Sequence, residues 1–170
     1  MQNPQVKRAL FAVSDAAGAA DFAAALQSGF GVEIHCEPAL ADTFAAAGVE
    51  ARAVDLSQSA ESLLKSVDLL VANLPDFDEI VLSGANFPKC VQSIELSRAA
   101  LMRAAAKRFA EVALACSPEA YADLLQELAD NGGATLYETR IAAAHEAFQA
   151  TSDYDYDIAA WLGAKLGISE

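Results

Sequence analysis

Short apolar runs alternate along this chain with longer segments whose apolar positions recur three and four apart. Residues 8–13 (RALFAV), 32–36, 51–56, 67–74 (VDLLVANL) and 111–116 (EVALAC) read as strands. The run at 67–74 is almost continuously apolar, as a strand covered on both faces should be. Between these runs the spacing predicts helices over 19–28, 39–47, 57–66, 91–108 and 118–130. Gly48 stops the second, because glycine accepts positive φ. Ser57 and Ser59 are candidate caps for the third, and Pro118 stands in a first turn, where its missing N–H costs nothing. Pro75 ends its strand, and residues 76–89 read as a polar loop containing Gly84 and Pro88. Beyond Asn131-Gly132-Gly133, two further helices are expected at 135–149 and 154–166, the second capped by Asp153 or Asp155.

Repeated β-then-α units predict an α/β fold of three layers, a parallel sheet with helices on both faces. The length of 170 residues fits a single domain, with a core over about 6–130 and a C-terminal helical extension over about 134–168. Ligands in such folds sit at the carboxyl ends of the strands. Those ends are Ser14-Asp15, Cys36-Glu37, Asn73-Leu74-Pro75 and Cys116-Ser117.

Composition narrows the partners. A hydrophobic content of 54% supports a packed core, and a net charge of -13 sets the chain against nucleic-acid phosphates and anionic membranes. Neither is an expected partner. Three cysteines without a CxxC pair suit a reducing compartment. No signal-like start and no apolar run of about 18 residues is present, so a cytoplasmic protein is expected.

Basic residues are scarce, and four of the 11 fall together: Arg98, Arg103, Lys107 and Arg108. Arg103 and Lys107 share a helix face, which either holds an anionic ligand or is a solvated side. Ser14-Asp15 either binds phosphate at a helix N-terminus or caps that helix. His35, Cys36 and Glu37 are metal-ligand types, but successive strand residues point to opposite faces, so no metal site is expected. His145 reads as structural, and the stretch 154–157 (YDYD) reads as packing tyrosines beside capping acids. No Ser-His-Asp set, Walker loop or GxGxxG occurs.

Four stretches resemble the IMP cyclohydrolase domain of the bifunctional purine-biosynthesis enzyme, where it precedes an AICAR formyltransferase domain. Residues 8–15 (RALFAVSD) with Gly18 resemble the family's RALxSVSDKTG. Residues 68–74 (DLLVANL) are similar to its DLVVVNLYPF, and residues 101–107 (LMRAAAK) to its GPAMLRAAAKN. Residues 117–121 (SPEAY), Asn131-Gly132-Gly133, Glu138-Thr139-Arg140 and Ala147-Phe148 resemble its DPxxY, NGG and ETRxxLAxKAF elements. That last block extends beyond the core shared with methylglyoxal synthases and favours the cyclohydrolase branch. The resemblance implies a methylglyoxal-synthase-like fold. It also implies closure of formyl-AICAR to IMP with loss of water, without a metal or organic cofactor.

Departures from the family cluster where substrate would bind. The lysine of SDKTG is Ala16 here. Where the family has an S-G-G-T phosphate loop this chain has Glu37-Pro38-Ala39-Leu40, a carboxylate and a proline without an N–H. The family's RVKTLHPKIHGG segment has no counterpart, and a few tens of residues between Leu56 and Val67 read as deleted. Pro75 takes the place of the tyrosine in NLYPF, and Glu95-Leu96-Ser97-Arg98 replaces DIGG. What the resemblance carries over is a catalytic set of Lys107, Glu95 and Asn73. Around it stand substrate-binding candidates Ser14, Asp15, Arg98 and Arg103, with Arg103 expected to brace its helix. Candidate partners are a purine nucleotide monophosphate (formyl-AICAR or IMP), a separate formyltransferase and a second copy of the chain. Most of the family's site is missing, so two functions are weighed first: a cyclohydrolase, and a non-catalytic nucleotide- or partner-binding paralogue. A methylglyoxal-synthase-like enzyme or allosteric module is the third, disfavoured because its phosphate loop is absent and the C-terminal block is foreign to that branch.

Overall fold

A computed structural model describes residues 3–167. Five strands form one parallel sheet in the order β3-β2-β1-β4-β5. They are β1 (Arg8–Ala12), β2 (Glu33–Cys36), β3 (Ala51–Ala53), β4 (Leu69–Ala72) and β5 (Ala113–Ala115). The register places Leu10 of β1 between His35 of β2 and Leu70 of β4. Every β4 residue is buried, the outcome its continuous apolar run requires.

Alternate residues of β1 feed opposite faces. Ala9 and Phe11 join a core with α1 (Ala19–Phe30), α2 (Ala41–Ala46) and α7 (Ala120–Asp130). In that core Phe11 meets Phe22 and Phe44 edge-on, and Phe22 stacks on Tyr121. Leu10 and Ala12 join the other core with α3 (Ala60–Leu63), α6 (Ser97–Lys107) and α8 (Tyr137–Leu166). The three-layer α/β reading therefore holds. A smaller cluster of Phe77, Cys90, Tyr154 and Trp161 fixes α4 (Phe77–Leu82) and α5 (Phe87–Gln92) against the far half of α8.

Three expectations are corrected. Residues 76–89 are not a loop: they hold α4 and the start of α5. Asp76 and Asn86 cap these helices, accepting from the backbone N–H groups of Glu79 and Lys89. The helix expected over 91–108 accordingly splits, and α6 begins only at Ser97. The two expected C-terminal helices are one helix of 30 residues. No glycine or proline separates Gln149 from Tyr154, and the acids proposed as caps have other work. Asp153 accepts from Gln149 one turn back, and Asp155 pairs with Arg103 on α6. Ser59 does cap α3, accepting from Ser62 N–H at 3.2 Å.

Candidate functional site

In an open sheet of this order the chain reverses direction across the sheet between β1 and β4, and that switch point is where a crevice opens. An open cavity of about 740 Å³ lies there, lined among others by Ser14, Asp15, Leu74, Pro75, Asp76, Glu79 and Lys89. Three of these side chains are carboxylates and one is an ammonium, so the crevice is electronegative.

The lining residues Ser14 and Asp15 are held by Asn73, which is buried just past β4. Asn73 Oδ1 accepts from the backbone N–H groups of Ser14 at 2.7 Å and Asp15 at 2.8 Å, and Nδ2 donates to the Asp15 carbonyl at 2.9 Å. The amides that a phosphate would use after β1 therefore serve an internal acceptor. Ser14 and Asp15 do not cap α1 either. The residue before α1 is Gly18, at φ 67°, while Asp15 Oδ1 accepts from Ala17 N–H in a local turn. The ring of Tyr121 would stand 3.7 Å from a Cβ placed on Gly18. Asn73→Ala is expected to cost about 1–2 kcal/mol of folding stability by urea denaturation, because both amides must turn to water. A loss of only a few tenths would show that the turn holds itself.

At the next strand end, the position after β2 carries Glu37, which is buried and precedes a 3₁₀ turn at Pro38–Leu40. Arg98, in the first turn of α6, reaches across the sheet edge to it. Arg98 Nη2 donates to Glu37 Oε2 at 2.6 Å, and Nη1 donates to Glu95 Oε2 at 2.6 Å. Glu95 Oε1 also accepts from the Arg98 backbone N–H at 3.0 Å. The side chains of Arg98, Glu37 and Glu95 are 17%, 8% and 22% exposed, so this is a largely buried cluster. Glu37 Oε1 and Arg98 Nε have no hydrogen-bond partner among the described residues. Glu95 is fixed from behind, its N–H donating to the Tyr154 hydroxyl at 2.8 Å. Burial pushes the Tyr154 phenol above its ordinary range, only partly opposed by that backbone contact.

Lys107 lies at the opposite end of the molecule. α6 starts at the carboxyl edge beside Glu37 and runs 11 residues, about 16 Å, before it ends at Lys107. The adjacent Arg108 donates to the carbonyl of Leu64, just before β4 begins. Lys107 is thus exposed at the amino edge of the sheet, apart from Asn73, Glu95 and Ser14. Arg103 faces α8, donating to the Thr151 hydroxyl and carbonyl and pairing with Asp155, so it braces two helices. Of the sequence-derived candidates, the carboxyl edge gathers Ser14, Asp15, Asn73, Glu95 and Arg98.

The remaining chemistry-bearing groups are quiet. His35 is held by Glu33 at 2.7 Å, Cys36 is buried, and His145 is exposed on α8. Among the described residues no group of three or more His, Cys, Asp or Glu could hold a metal ion. Burial pushes the Cys116 thiol up to about 12, so it is no nucleophile near neutral pH. No described helix is long and apolar enough to cross a membrane.

A family model described as AICARFT/IMPCHase bienzyme matches residues 105–169. The bifunctional purine biosynthesis protein PurH of Bradyrhizobium diazoefficiens is 32% identical over 197 positions, covering 96% of this chain and 37% of that protein. PurH of Cutibacterium acnes is 40% identical over 106 positions, covering 62% of this chain and 20% of that protein. The chain thus spans well under half of these relatives. PurH of Chlorobium chlorochromatii is 29% identical over 204 positions, covering 100% of this chain and 39% of that protein. The crystal structure of ForH shares the fold, with a TM-score of 0.71 at 24% identity over 91% of this chain and 97% of that one. The chain is therefore a relative of the PurH proteins, an IMP cyclohydrolase-like domain shorter than the corresponding part of theirs.

Proposed function

We propose that this domain has kept the framework of a purine-biosynthesis cyclohydrolase and lost the ring-closing reaction, and that it serves as a binding subunit. Arg98 carries this reading. It stands at the carboxyl edge, and two carboxylates of the same chain already hold it. Ring closure of formyl-AICAR needs the carboxamide nitrogen positioned against the formyl carbon and a group that moves a proton. Asn73 is engaged with the backbone of Ser14 and Asp15, and Lys107 stands about 16 Å down its helix from the crevice. The partner expected for such a subunit is a separate AICAR formyltransferase, because the relatives are bifunctional and extend far beyond the portion matched here.

A retained cyclohydrolase is the second reading, favoured by identity of 32% across 96% of the chain. There Glu95 and Asn73 would touch substrate and Lys107 would supply the proton. Incubation with formyl-AICAR, followed by ultraviolet absorbance, separates the two. The binding-subunit reading expects no IMP at high protein concentration, with or without a formyltransferase. Turnover that disappears in Lys107→Met would establish the enzyme instead.

A further inference from the structure

Two polar side chains at the carboxyl edge hold groups that could bind an oxyanion: Asn73 takes the backbone N–H groups of Ser14 and Asp15, and Glu37 takes the guanidinium of Arg98. The two differ. Asn73 is neutral and makes three hydrogen bonds, whereas Glu37 is charged and makes one through its carboxylate. Glu37 Oε2 takes Arg98 Nη2, while Glu37 Oε1 and Arg98 Nε stay unpartnered although both are buried. Nε and Nη2 share one edge of a guanidinium, the edge that grips a carboxylate or phosphate with two parallel bonds. Glu37 therefore fills half of an oxyanion fork. The other amino group, Nη1, is committed to Glu95.

We propose that Arg98 is the oxyanion receptor of this edge and Glu37 its resident competitor, the residue that turns the crevice away from phosphate-bearing ligands. The proposal deepens the binding-subunit reading by naming the ligand class that this edge turns away: compounds that carry a phosphate. An incoming phosphate must take the Nε–Nη2 edge from Glu37 and then lie against that carboxylate. Like charges at contact distance in a partly buried site weaken binding by up to about a thousandfold. The acidic lining of the neighbouring crevice, with Asp15, Asp76 and Glu79 against Lys89, repels the same ligand as it approaches.

Glu37→Gln removes the charge and keeps the size and one hydrogen-bonding oxygen. Titration calorimetry with inorganic phosphate, and with IMP against inosine, tests the claim on the full chain. The wild type should ignore millimolar phosphate and bind IMP no better than it binds inosine. Glu37→Gln should bind phosphate and IMP at least tenfold more tightly than the wild type does, about 1.4 kcal/mol, and Glu37→Gln/Arg98→Gln should lose that gain. Circular dichroism checks folding, and Glu37→Ser is the second neutral variant. Phosphate binding by the wild type equal to that of Glu37→Gln would overturn the proposal. So would a folded neutral variant without gain, or a gain that survives loss of Arg98. The wild-type titration alone decides if neither variant folds, since phosphate binding there contradicts a resident competitor. Turnover of formyl-AICAR tests the binding-subunit reading separately, because inorganic phosphate binding by the variants does not depend on catalysis.

Discussion

Arg98→Met is expected to cost about 3–5 kcal/mol of folding stability, the range seen when one partner of a buried ion pair is removed. The size follows from what stays behind. Glu37 is 8% exposed and has no donor besides Arg98 to either carboxylate oxygen. Glu95 would also lose its bond from Nη1, although it keeps the Arg98 backbone N–H. Two carboxylates would then face each other across the sheet edge without a cation. Urea denaturation followed by circular dichroism measures the loss. Adding Glu37→Gln to Arg98→Met should restore about 2 kcal/mol or more, because the neutral amide removes the buried charge rather than the contact. A single-variant loss below about 1 kcal/mol would place the cluster among exposed ion pairs and weaken the account of the site.

The other large effect belongs to Arg140, which is 1% exposed in the first turn of α8. Its Nε donates to the Phe109 carbonyl at 2.8 Å, and Nη1 donates to the Thr135 hydroxyl and carbonyl. Arg140 thereby ties the start of the long helix to the segment leading into β5. Burial lowers its pKa from the ordinary guanidinium value, yet at neutral pH it stays charged. Arg140→Met keeps much of the volume and strips the donors from three buried or half-buried oxygens. The expected loss is about 2–4 kcal/mol, several times that of an exposed substitution. Because α8 shares its core with α6, the variant should also loosen the helix that carries Arg98. Hydrogen exchange in α6 that rises along with the stability loss would show this coupling. Unchanged protection in α6 would contradict it.

The sheet was legible because its signal is local. The apolar runs at 8–13, 32–36, 67–74 and 111–116 each contain their strand, and the burial of β4 on both faces follows from composition alone. Helices were legible where a glycine or proline punctuates them, as at Gly48. They were misread where punctuation misleads. Pro88 sits in the first turn of α5 rather than in a loop, and the capping residues Asp76 and Asn86 were the signal that could have revealed both short helices. Asp153 and Asp155 have cap chemistry, but α8 runs through them because nothing there breaks a helix.

The site was half legible. That a carboxylate follows β2 is written in the sequence, but its partner lies 61 residues away and no periodicity links the two. Read alone, Glu37 predicts repulsion. With Arg98 beside it, the same residue becomes a neutralised plug. Lys107 illustrates the reverse case. The family resemblance put it in the catalytic set, whereas a helix returning from the carboxyl edge to a parallel strand must finish at the amino edge. The topology of the chain, had it been applied to that helix, would have placed the lysine away from the crevice.

A crystal grown with millimolar IMP tests the central claim most directly. The account predicts Arg98 still joined to Glu37 and Glu95, Asn73 still holding the Ser14 and Asp15 amides, and no phosphate at the ends of β1 and β2. Density for a nucleotide phosphate on Arg98, with Glu37 swung aside, would contradict it.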